Sequence, residues 1–239
     1  MTARRCLSTY RRKRWAATAS DPFSPLFLAS YTSFSVTEFN QRAQRNVVQK
    51  EELLQRLAGA LANKKSVHMP QDAATSIPSA VLVIIHYHHG GVPHVFLTKR
   101  SAGLKSHGSE ISFPGGRHAE GDATLLETAL RETQEEVGIV FSPKDIAGSL
   151  QVVRTMTSNH YIVPFVTVQD MLPRYRVSAH EVEEVLDAPL IETLETMEPD
   201  TEHFHLSKNA YRFTYRGNVI WGATARIMIQ LHSALIRPS

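Results

Sequence analysis

The chain has 239 residues, of which 42% are hydrophobic and 21% are charged, and it holds one cysteine, Cys6. This length suffices for one domain with a sizeable core and appendages. No apolar run approaches the roughly 18 residues that a membrane-spanning helix needs, and a single cysteine excludes an internal disulfide framework and a cysteine-based metal site. We therefore expect an intracellular protein with no membrane partner.

Positive charge is concentrated in residues 1–37, where six Lys and Arg residues oppose one acid and give +5. Subtracting this from the +3 of the whole chain leaves −2 for residues 38–239. The body is thus mildly acidic, which argues against a nucleic-acid partner. The N-terminal segment itself is rich in Arg, Ser and Thr, which is typical of an organellar transit peptide or of a disordered tail. A transit peptide predicts a mitochondrial location, and a tail predicts a cytoplasmic one.

Residues 38–74 are predicted to form a helix and a polar linker. Apolar residues recur at helical spacing from Val47 to Leu61, and Pro70 lies in the polar stretch that follows. Residues 79–101 then read as two strands around a His-His-Gly-Gly turn. This segment contains His86, His88 and His89. Because no cysteine or carboxylate stands at ligand spacing from them, we interpret these histidines as a hairpin edge.

A helix is predicted from about Ala123 to Val137, ending at Gly138. Strands follow in residues 148–157 and 160–169, and residues 180–195 are expected to be partly helical and broken at Pro189. Residues 211–236 read as a strand, a turn, a short strand and a last helix. This order of elements predicts an α/β domain with a mixed sheet covered on both faces.

The helix after Ala123 gathers acidic side chains. At 100° per residue its buried stripe contains Leu126, Leu130, Thr133 and Val137, with Ala129 at the edge. Glu132 and Glu136 are i,i+4 neighbours on another side, close enough to share a cation, with Glu135 beside them. Like charges near a helix C-terminus are destabilising, and a hard divalent cation such as Mg²⁺ would offset them. Taken alone, the cluster is also compatible with a solvated helix face.

Three other features of the sequence carry expectations. We expect a solvated helix to start at three acids, Glu181, Glu183 and Glu184. The alternative is that these acids are a second source of catalytic carboxylates. Trp221 and Tyr161 are expected in the core rather than as stacking platforms. His107 is a candidate to line a pocket.

Residues 131–139, RETQEEVGI, resemble the second half of the signature of the Nudix hydrolases. Thr133 stands at its first aliphatic position. The first half departs from the signature, because Gly116 lies one residue too far upstream and Ala123 stands where a glutamate is expected. Asp122 and Glu120 are near that position but out of register.

Residues 96–116, FLTKRSAGLKSHGSEISFPGG, resemble the segment that precedes this signature in coenzyme A diphosphatases. The spacing matches throughout, with three replacements: Phe96 for Leu, Lys105 for Arg and Ser109 for Gly. Residues 220–228, IWGATARIM, resemble the entry to the C-terminal helix of that subfamily. The resemblance covers roughly residues 75–235, and we place a Nudix domain at residues 75–236.

This resemblance implies an α/β/α sandwich that hydrolyses the pyrophosphate of coenzyme A or its acyl derivatives with Mg²⁺ or Mn²⁺. It implies Glu132 and Glu136 as metal ligands, Glu135 as a further ligand or the base, and Arg131 as the group that holds a carboxylate in place. Phosphate contacts are expected from Arg100, which alternatively makes a structural ion pair, and further from Lys105, Gly115 and Gly116.

Two rival functions stay open. One is a Nudix hydrolase for ADP-ribose, dinucleotides or oxidised nucleotides, and the other is a non-catalytic nucleotide-binding module. The partner is in each case a small molecule, and the oligomeric state is open, a homodimer being one option.

Overall fold

The structure is a computed structural model, and it describes residues 46–62, 76–88, 90–103, 108–155, 157–203 and 210–236. The expectations for residues 1–37, for most of the linker, and for His89, Lys105 and His107 lie outside the described residues. In the part of the chain that is described, no helix is long and apolar enough to cross a membrane.

Four α-helices and a short 3₁₀ turn at Pro143–Asp145 are present in the described residues. The helices are α1 (Lys50–Ala58), α2 (Leu125–Val137), α3 (Leu190–Glu195) and α4 (Gly222–Leu235). The strands are β1 (Ile77–Tyr87), β2 (Pro93–Arg100), β3 (Ile111–Ser112), β4 (Gly115–Arg117), β5 (Ile146–Ser149), β6 (Val153–Arg154), β7 (His160–Gln169), β8 (Val182–Pro189), β9 (Glu198–Pro199), β10 (Tyr211–Tyr215) and β11 (Asn218–Ile220).

Eight strands form one mixed sheet. Five of them follow the order β3-β2-β1-β7-β5, and β4, β6 and β8 pair with strands of this row. Strand β1 is central: it runs parallel to β7 from Ile77↔His160 to His86↔Gln169 and antiparallel to β2 and β4. Strand β8 extends the sheet beyond β2, β6 joins β7, and β9, β10 and β11 form a small second sheet. The predicted hairpin of residues 79–101 and the predicted mixed sheet are confirmed.

Alternate side chains of the sheet enter two separate cores, as the period of two along a strand requires. Val83 and Ile85 of β1 pack on one side, in a core that α1, α3 and α4 share. Leu82 and Ile84 pack on the other side, in a core with Ala129 and Val137 of α2. Because both faces are covered, β1 reads as an unbroken apolar run, and the sandwich is confirmed.

Helix α2 has clear signals at both ends. The Thr124 side chain accepts a hydrogen bond from the Glu127 amide at its start, and Gly138 adopts the left-handed conformation at its end, with φ at 69°. Thr133 and Val137 are buried as predicted, whereas Leu126 and Leu130 are half-buried at the rim of the second core. The predicted helix is therefore confirmed, with a start two residues later.

Residues 180–195 differ from expectation. Val182–Pro189 is a strand, and only Leu190–Glu195 is helical. The pairing of β8 with β2 shifts between Lys99 and Arg100, so Val182 faces the second core while Leu186 and Ala188 face the first. This irregularity breaks the alternation by which a half-buried strand is recognised.

Helix α1 belongs to the same body as the sheet. Its Leu53 and Leu57 are fully buried in the first core. Ala62 exchanges two backbone hydrogen bonds with Ser149 of β5, at 2.8 and 3.1 Å.

Candidate active site

Two glycines bring the start of β4 against the carboxylates of α2. The Gly115 amide donates a hydrogen bond to Glu136 Oε2 at 3.2 Å. A Cβ on Gly115 would collide with the backbone of β1 at Ala80 and Val81, and its φ of 154° also disfavours other residues. A Cβ on Gly116 would collide with the Glu132 carboxylate. The Gly-Gly pair is therefore required for the close approach of this turn to both glutamates.

Glu136 is the most enclosed of the clustered acids. Its side chain is 4% exposed, and Arg100 Nη1 lies 3.3 Å from its Oε1. Burial raises the pKa of Glu136 to about 7; Arg100 and the Gly115 amide oppose this, while the charges of Glu132 and Glu181 add to it. The positive groups around Glu136 thus compensate its charge only in part.

Glu132 lies beside it and faces Gly116. Burial raises the pKa of its carboxyl, Arg131 lowers it, and Glu135 and Glu181 raise it further. Glu132 and Glu136 line the same cavity. Two partly buried carboxylates with oxygen donors and incomplete charge compensation fit a hard divalent cation such as Mg²⁺ or Mn²⁺.

Arg131 connects the carboxylate helix to the loop before it. Its Nε and Nη2 donate to the two oxygens of Asp122, and its Nη1 lies 2.9 Å from Glu132 and 3.0 Å from Glu135. Asp122 is buried and also accepts hydrogen bonds from Thr128 Oγ1 and the Ala119 amide. The hydrogen bonds from Arg131 hold the pKa of Asp122 well below its usual range, although burial opposes them.

The signature expects a glutamate at position 123, where this chain has the exposed Ala123. The preceding residue, Asp122, supplies a carboxylate beside Arg131 instead. Sequence reasoning noted this aspartate as out of register and gave it no role. Asp122 is identified by its burial and by its hydrogen bonds with the Arg131 guanidinium, which only the folded structure shows.

Glu135 is placed differently from its neighbours. Its side chain is 55% exposed and contacts Arg131, and it is not among the described residues that line the cavity. The structure therefore brings Glu132 and Glu136 together at the cavity and leaves Glu135 on its outer side. Glu127, four residues before Arg131, accepts a hydrogen bond from the Ala123 amide at 2.8 Å.

The cavity has a volume of about 760 Å³. Besides the two glutamates and the two glycines, four arginines line it: Arg100, Arg117, Arg154 and Arg226. Further carboxylates line it from other elements: Glu110, Glu181 and Asp200. This mixture of arginines and acids suits an anionic ligand that brings a cation with it.

The expectation that Glu181 lies at the start of a solvated helix is wrong. It stands in the turn before β8, where its carbonyl accepts from the Ser101 amide, and it lines the cavity. The neighbouring acids point elsewhere: Glu183 pairs with Lys99 at 2.8 Å, and Glu184 is exposed. One acid of the three thus belongs to the candidate site.

Trp221 also differs from expectation. It lines the cavity and stacks on His203, with ring centroids 3.7 Å apart and planes within 3°. His203 is in turn held by the buried Asp200 at 2.8 Å. Tyr161, by contrast, is buried as predicted. The aromatic surface in the cavity therefore comes from residues far apart in the chain, which no local pattern indicates.

Known proteins resemble this chain in sequence and fold. The NUDIX domain family model matches residues 77–212. The chain is 33% identical over 170 residues to "Uncharacterized Nudix hydrolase NudL" of Pectobacterium atrosepticum, covering 70% of this chain and 84% of that one. It is 35% identical over 142 residues to the protein of the same name in Cronobacter sakazakii, covering 58% and 73%.

Among solved structures, a MutT/nudix family protein from Enterococcus faecalis superposes with a TM-score of 0.50 at 14% identity, covering 86% of this chain and 76% of that one. At this identity the likeness concerns the fold alone. Together with the carboxylate helix and its cavity, the sequence matches establish the family. The chain belongs to the Nudix hydrolases and is a hydrolase of the pyrophosphatase type.

Proposed function

We propose that this enzyme hydrolyses the pyrophosphate bond of coenzyme A or its acyl derivatives, giving 3′,5′-ADP and 4′-phosphopantetheine or its acyl form. The observation that carries the proposal is the meeting of Glu132 and Glu136 with arginines in one cavity. It is joined by the resemblance of residues 96–116 to the coenzyme A diphosphatase segment, whose last glycines form the turn against these glutamates.

Glu132 and Glu136 would hold Mg²⁺ or Mn²⁺, because their oxygens are partly buried and their charge is incompletely compensated. When bound, the cation supplies Lewis acidity that neutralises charge on the pyrophosphate. The protein's own part is orientation: Arg131 fixes the side chain of Glu132 from one side, and Asp122 fixes Arg131.

The arginines favour a ligand with several phosphates. Coenzyme A carries a 3′-phosphate on its ribose in addition to the pyrophosphate, whereas ADP-ribose carries the pyrophosphate alone. A guanidinium binds such groups through two parallel hydrogen bonds. We assign phosphate contacts to Arg100, Arg117, Arg154 and Arg226, and keep Lys105 as a further expected contact. Arg100 forms the alternative ion pair, with Glu136, and its place in the cavity lining supports the proposed phosphate contact as well.

For the base that takes a proton from the attacking water, we favour Glu181 over Glu135. Glu181 lines the cavity and raises the pKa of both cavity glutamates, so its carboxylate acts on the same space. Glu135 is engaged by Arg131 on the outer side. A base must lie within hydrogen-bond reach of the proton that it removes, directly or through one water.

A substrate panel tests this function. The purified enzyme with Mg²⁺ is given coenzyme A, 3′-dephospho-coenzyme A, an acyl-coenzyme A, ADP-ribose and NADH, and the products are separated by chromatography. We expect release of 3′,5′-ADP from coenzyme A, with a lower kcat/KM for the dephospho compound. Efficient cleavage of ADP-ribose or NADH without coenzyme A turnover would establish the rival hydrolase. Binding of these compounds without any turnover would establish a non-catalytic module.

A further inference from the structure

Three histidines and one aspartate meet in the sheet, far from the cavity. His86 lies in β1, His94 in β2 and Asp187 in β8, and His88 follows β1. Asp187 Oδ1 is 2.9 Å from His86 Nε2 and 3.0 Å from His94 Nδ1, and its Oδ2 is 2.7 Å from His88 Nε2. We call these four residues the histidine cluster.

The histidine cluster is separate from the candidate active site. Ser79 lines the cavity near one end of β1, and His86 stands seven residues further along the same strand. At about 3.3 Å per residue this is about 23 Å. In the same way Arg100 of β2 lines the cavity, while His94 lies toward the other end of that strand.

Sheet pairing explains how the side chains converge. His86 and His94 are direct partners in the antiparallel pairing of β1 with β2. On the other side of β2, Phe96 pairs with Asp187, two positions from His94 along the strand. Since side chains two apart share a face, the histidines and the aspartate point to the same side. His86 and His88 do stand at the end of the predicted hairpin, but the expectation that no carboxylate accompanies them was wrong, because Asp187 comes from a strand about 100 residues later.

The donor set is that of a transition-metal site. Ligand atoms of His86, His88 and Asp187 all lie within 4.8 Å of one another. Zinc binds imidazole nitrogen and carboxylate oxygen at about 2.0–2.2 Å, which places ligand atoms of a tetrahedron about 3.3 Å apart. The Asp187 oxygens already lie close to this spacing, at 2.9 Å from His86 Nε2 and 2.7 Å from His88 Nε2. An ion can also enter, because the His88 side chain is 49% exposed and that of Asp187 30%.

Packing alone does not account for these residues. His86 is 1% exposed, the other buried residues on its face of β1 are the apolar Ala80, Leu82 and Ile84, and among the described residues its Nδ1 has no hydrogen-bond partner. The Asp187 carboxylate accepts hydrogen bonds from all three imidazoles, through Oδ1 from His86 and His94 and through Oδ2 from His88. A buried histidine beside an ionised carboxylate has the chemistry of a ligand set.

We propose that His86, His88 and Asp187 bind a transition-metal ion of the zinc class, and that His94 orients the Asp187 carboxylate. His94 suits this second role because its Nδ1 already donates a hydrogen bond to Oδ1 of that carboxylate. The ion is chemically distinct from the hard cation at Glu132 and Glu136, since nitrogen ligands favour zinc, cobalt or nickel over magnesium. Bound there, it joins β1 to β8 across β2.

Cobalt spectroscopy tests the site. The full chain, without an affinity tag and stripped with chelator, is titrated with Co²⁺, whose visible bands are intense in four-coordinate nitrogen-containing sites and weak in six-coordinate oxygen sites. We expect intense bands that saturate at one equivalent and are displaced by Zn²⁺. The same bands should persist in the double variant Glu132→Gln/Glu136→Gln, which removes the carboxylate pair of α2.

Variants then assign the ligands. His88→Ala alters a half-exposed side chain, and His180→Ala removes an exposed histidine outside the histidine cluster as its matched control. We expect His88→Ala and Asp187→Asn to weaken Co²⁺ binding by at least tenfold, to lose the gain in melting temperature that Zn²⁺ gives the wild type, and to keep Mg²⁺-dependent turnover. His180→Ala should behave as wild type. Unchanged Co²⁺ affinity in His88→Ala, or no intense bands in the wild type, would overturn the proposal.

Discussion

Arg131 and Asp122 are joined by two hydrogen bonds, from Nε to Oδ1 at 2.9 Å and from Nη2 to Oδ2 at 3.0 Å. The third nitrogen of the same guanidinium lies 2.9 Å from Glu132. Asp122, which is not among the described residues that line the cavity, therefore acts on a proposed cation ligand through Arg131. Such supporting partners change metal affinity or activity by about 10–100-fold when they are removed.

Asp122→Asn should lower turnover within that range and lower the melting temperature at neutral pH. The pKa of Asp122 is lowered in the folded state, so its contribution to stability is complete above its unfolded pKa of about 4 and is lost as the pH falls through the folded value. The difference in melting temperature between wild type and Asp122→Asn should thus shrink below about pH 4. Glu120→Gln, at an exposed acid nearby, is the control. Equal melting temperatures at pH 7 would contradict this role.

Glu136→Gln should reduce kcat by at least about 100-fold while the fold is kept, since cation catalysis contributes several kcal/mol to the barrier. The matched variant Glu135→Gln changes an exposed carboxylate on the outer side of α2 and should cost far less. Steady-state kinetics with Mg²⁺, together with circular dichroism, measure both. A wild-type rate in Glu136→Gln would show that the cation assignment is wrong, and equal losses in the two variants would return Glu135 to the site.

When the metal is removed, the burial of Glu136 should make the stability of the protein depend on pH. Its folded pKa of about 7 lies above its unfolded value, so its contribution to stability is complete at low pH and is lost as the pH rises through 7. The groups that face it are Arg100, Glu132, Glu181 and the Gly115 amide. In chelator, the melting temperature should therefore fall from pH 6 to pH 8, and Mg²⁺ should restore more of it at pH 8.

The variant Glu136→Gln provides the comparison for this pH effect. Because a glutamine does not titrate, its melting temperature in chelator should vary less over the same pH range. If the wild type and Glu136→Gln showed the same pH profile, another group would be responsible.

Gly116→Ala should impair turnover without abolishing the fold. The added Cβ meets the Glu132 carboxylate, which must move away from its position at the cavity. Gly121→Ala is the control, since nothing lies within 4 Å of a Cβ there. We expect kcat to fall and the Mg²⁺ concentration for half-maximal rate to rise in Gly116→Ala alone. Wild-type kinetics in this variant would mean that the turn does not constrain Glu132.

Local patterns predicted most of the sheet and the carboxylate helix. Gly138 marked the end of α2 correctly, and the apolar run of β1 marks a strand covered on both faces. Helical spacing alone placed Glu132 and Glu136 on one side. These features depend on neighbours within a few residues, which is why a sequence reveals them.

Contacts between distant segments were not predictable in the same way. Glu181 reaches the cavity because β8 pairs with β2, and Trp221 reaches it beside His203 because the chain returns there after β10 and β11. Asp187 meets His86 for the same reason. The strand β8 was itself misread because its pairing irregularity shifts the apolar positions from one face to the other.

The family match covers residues 77–212, yet two of the helices that close the first core, α1 and α4, lie outside it. Leu53 and Leu57 are fully buried there, and loss of such a side chain costs about 2–5 kcal/mol of stability each. The stretch matched by the family model is therefore shorter than the stretch that must fold together. An expression fragment trimmed to the matched residues would leave only α3 of the three helices that cover this face of the sheet, whereas a fragment that begins before Asn46 and runs through Leu235 keeps all three.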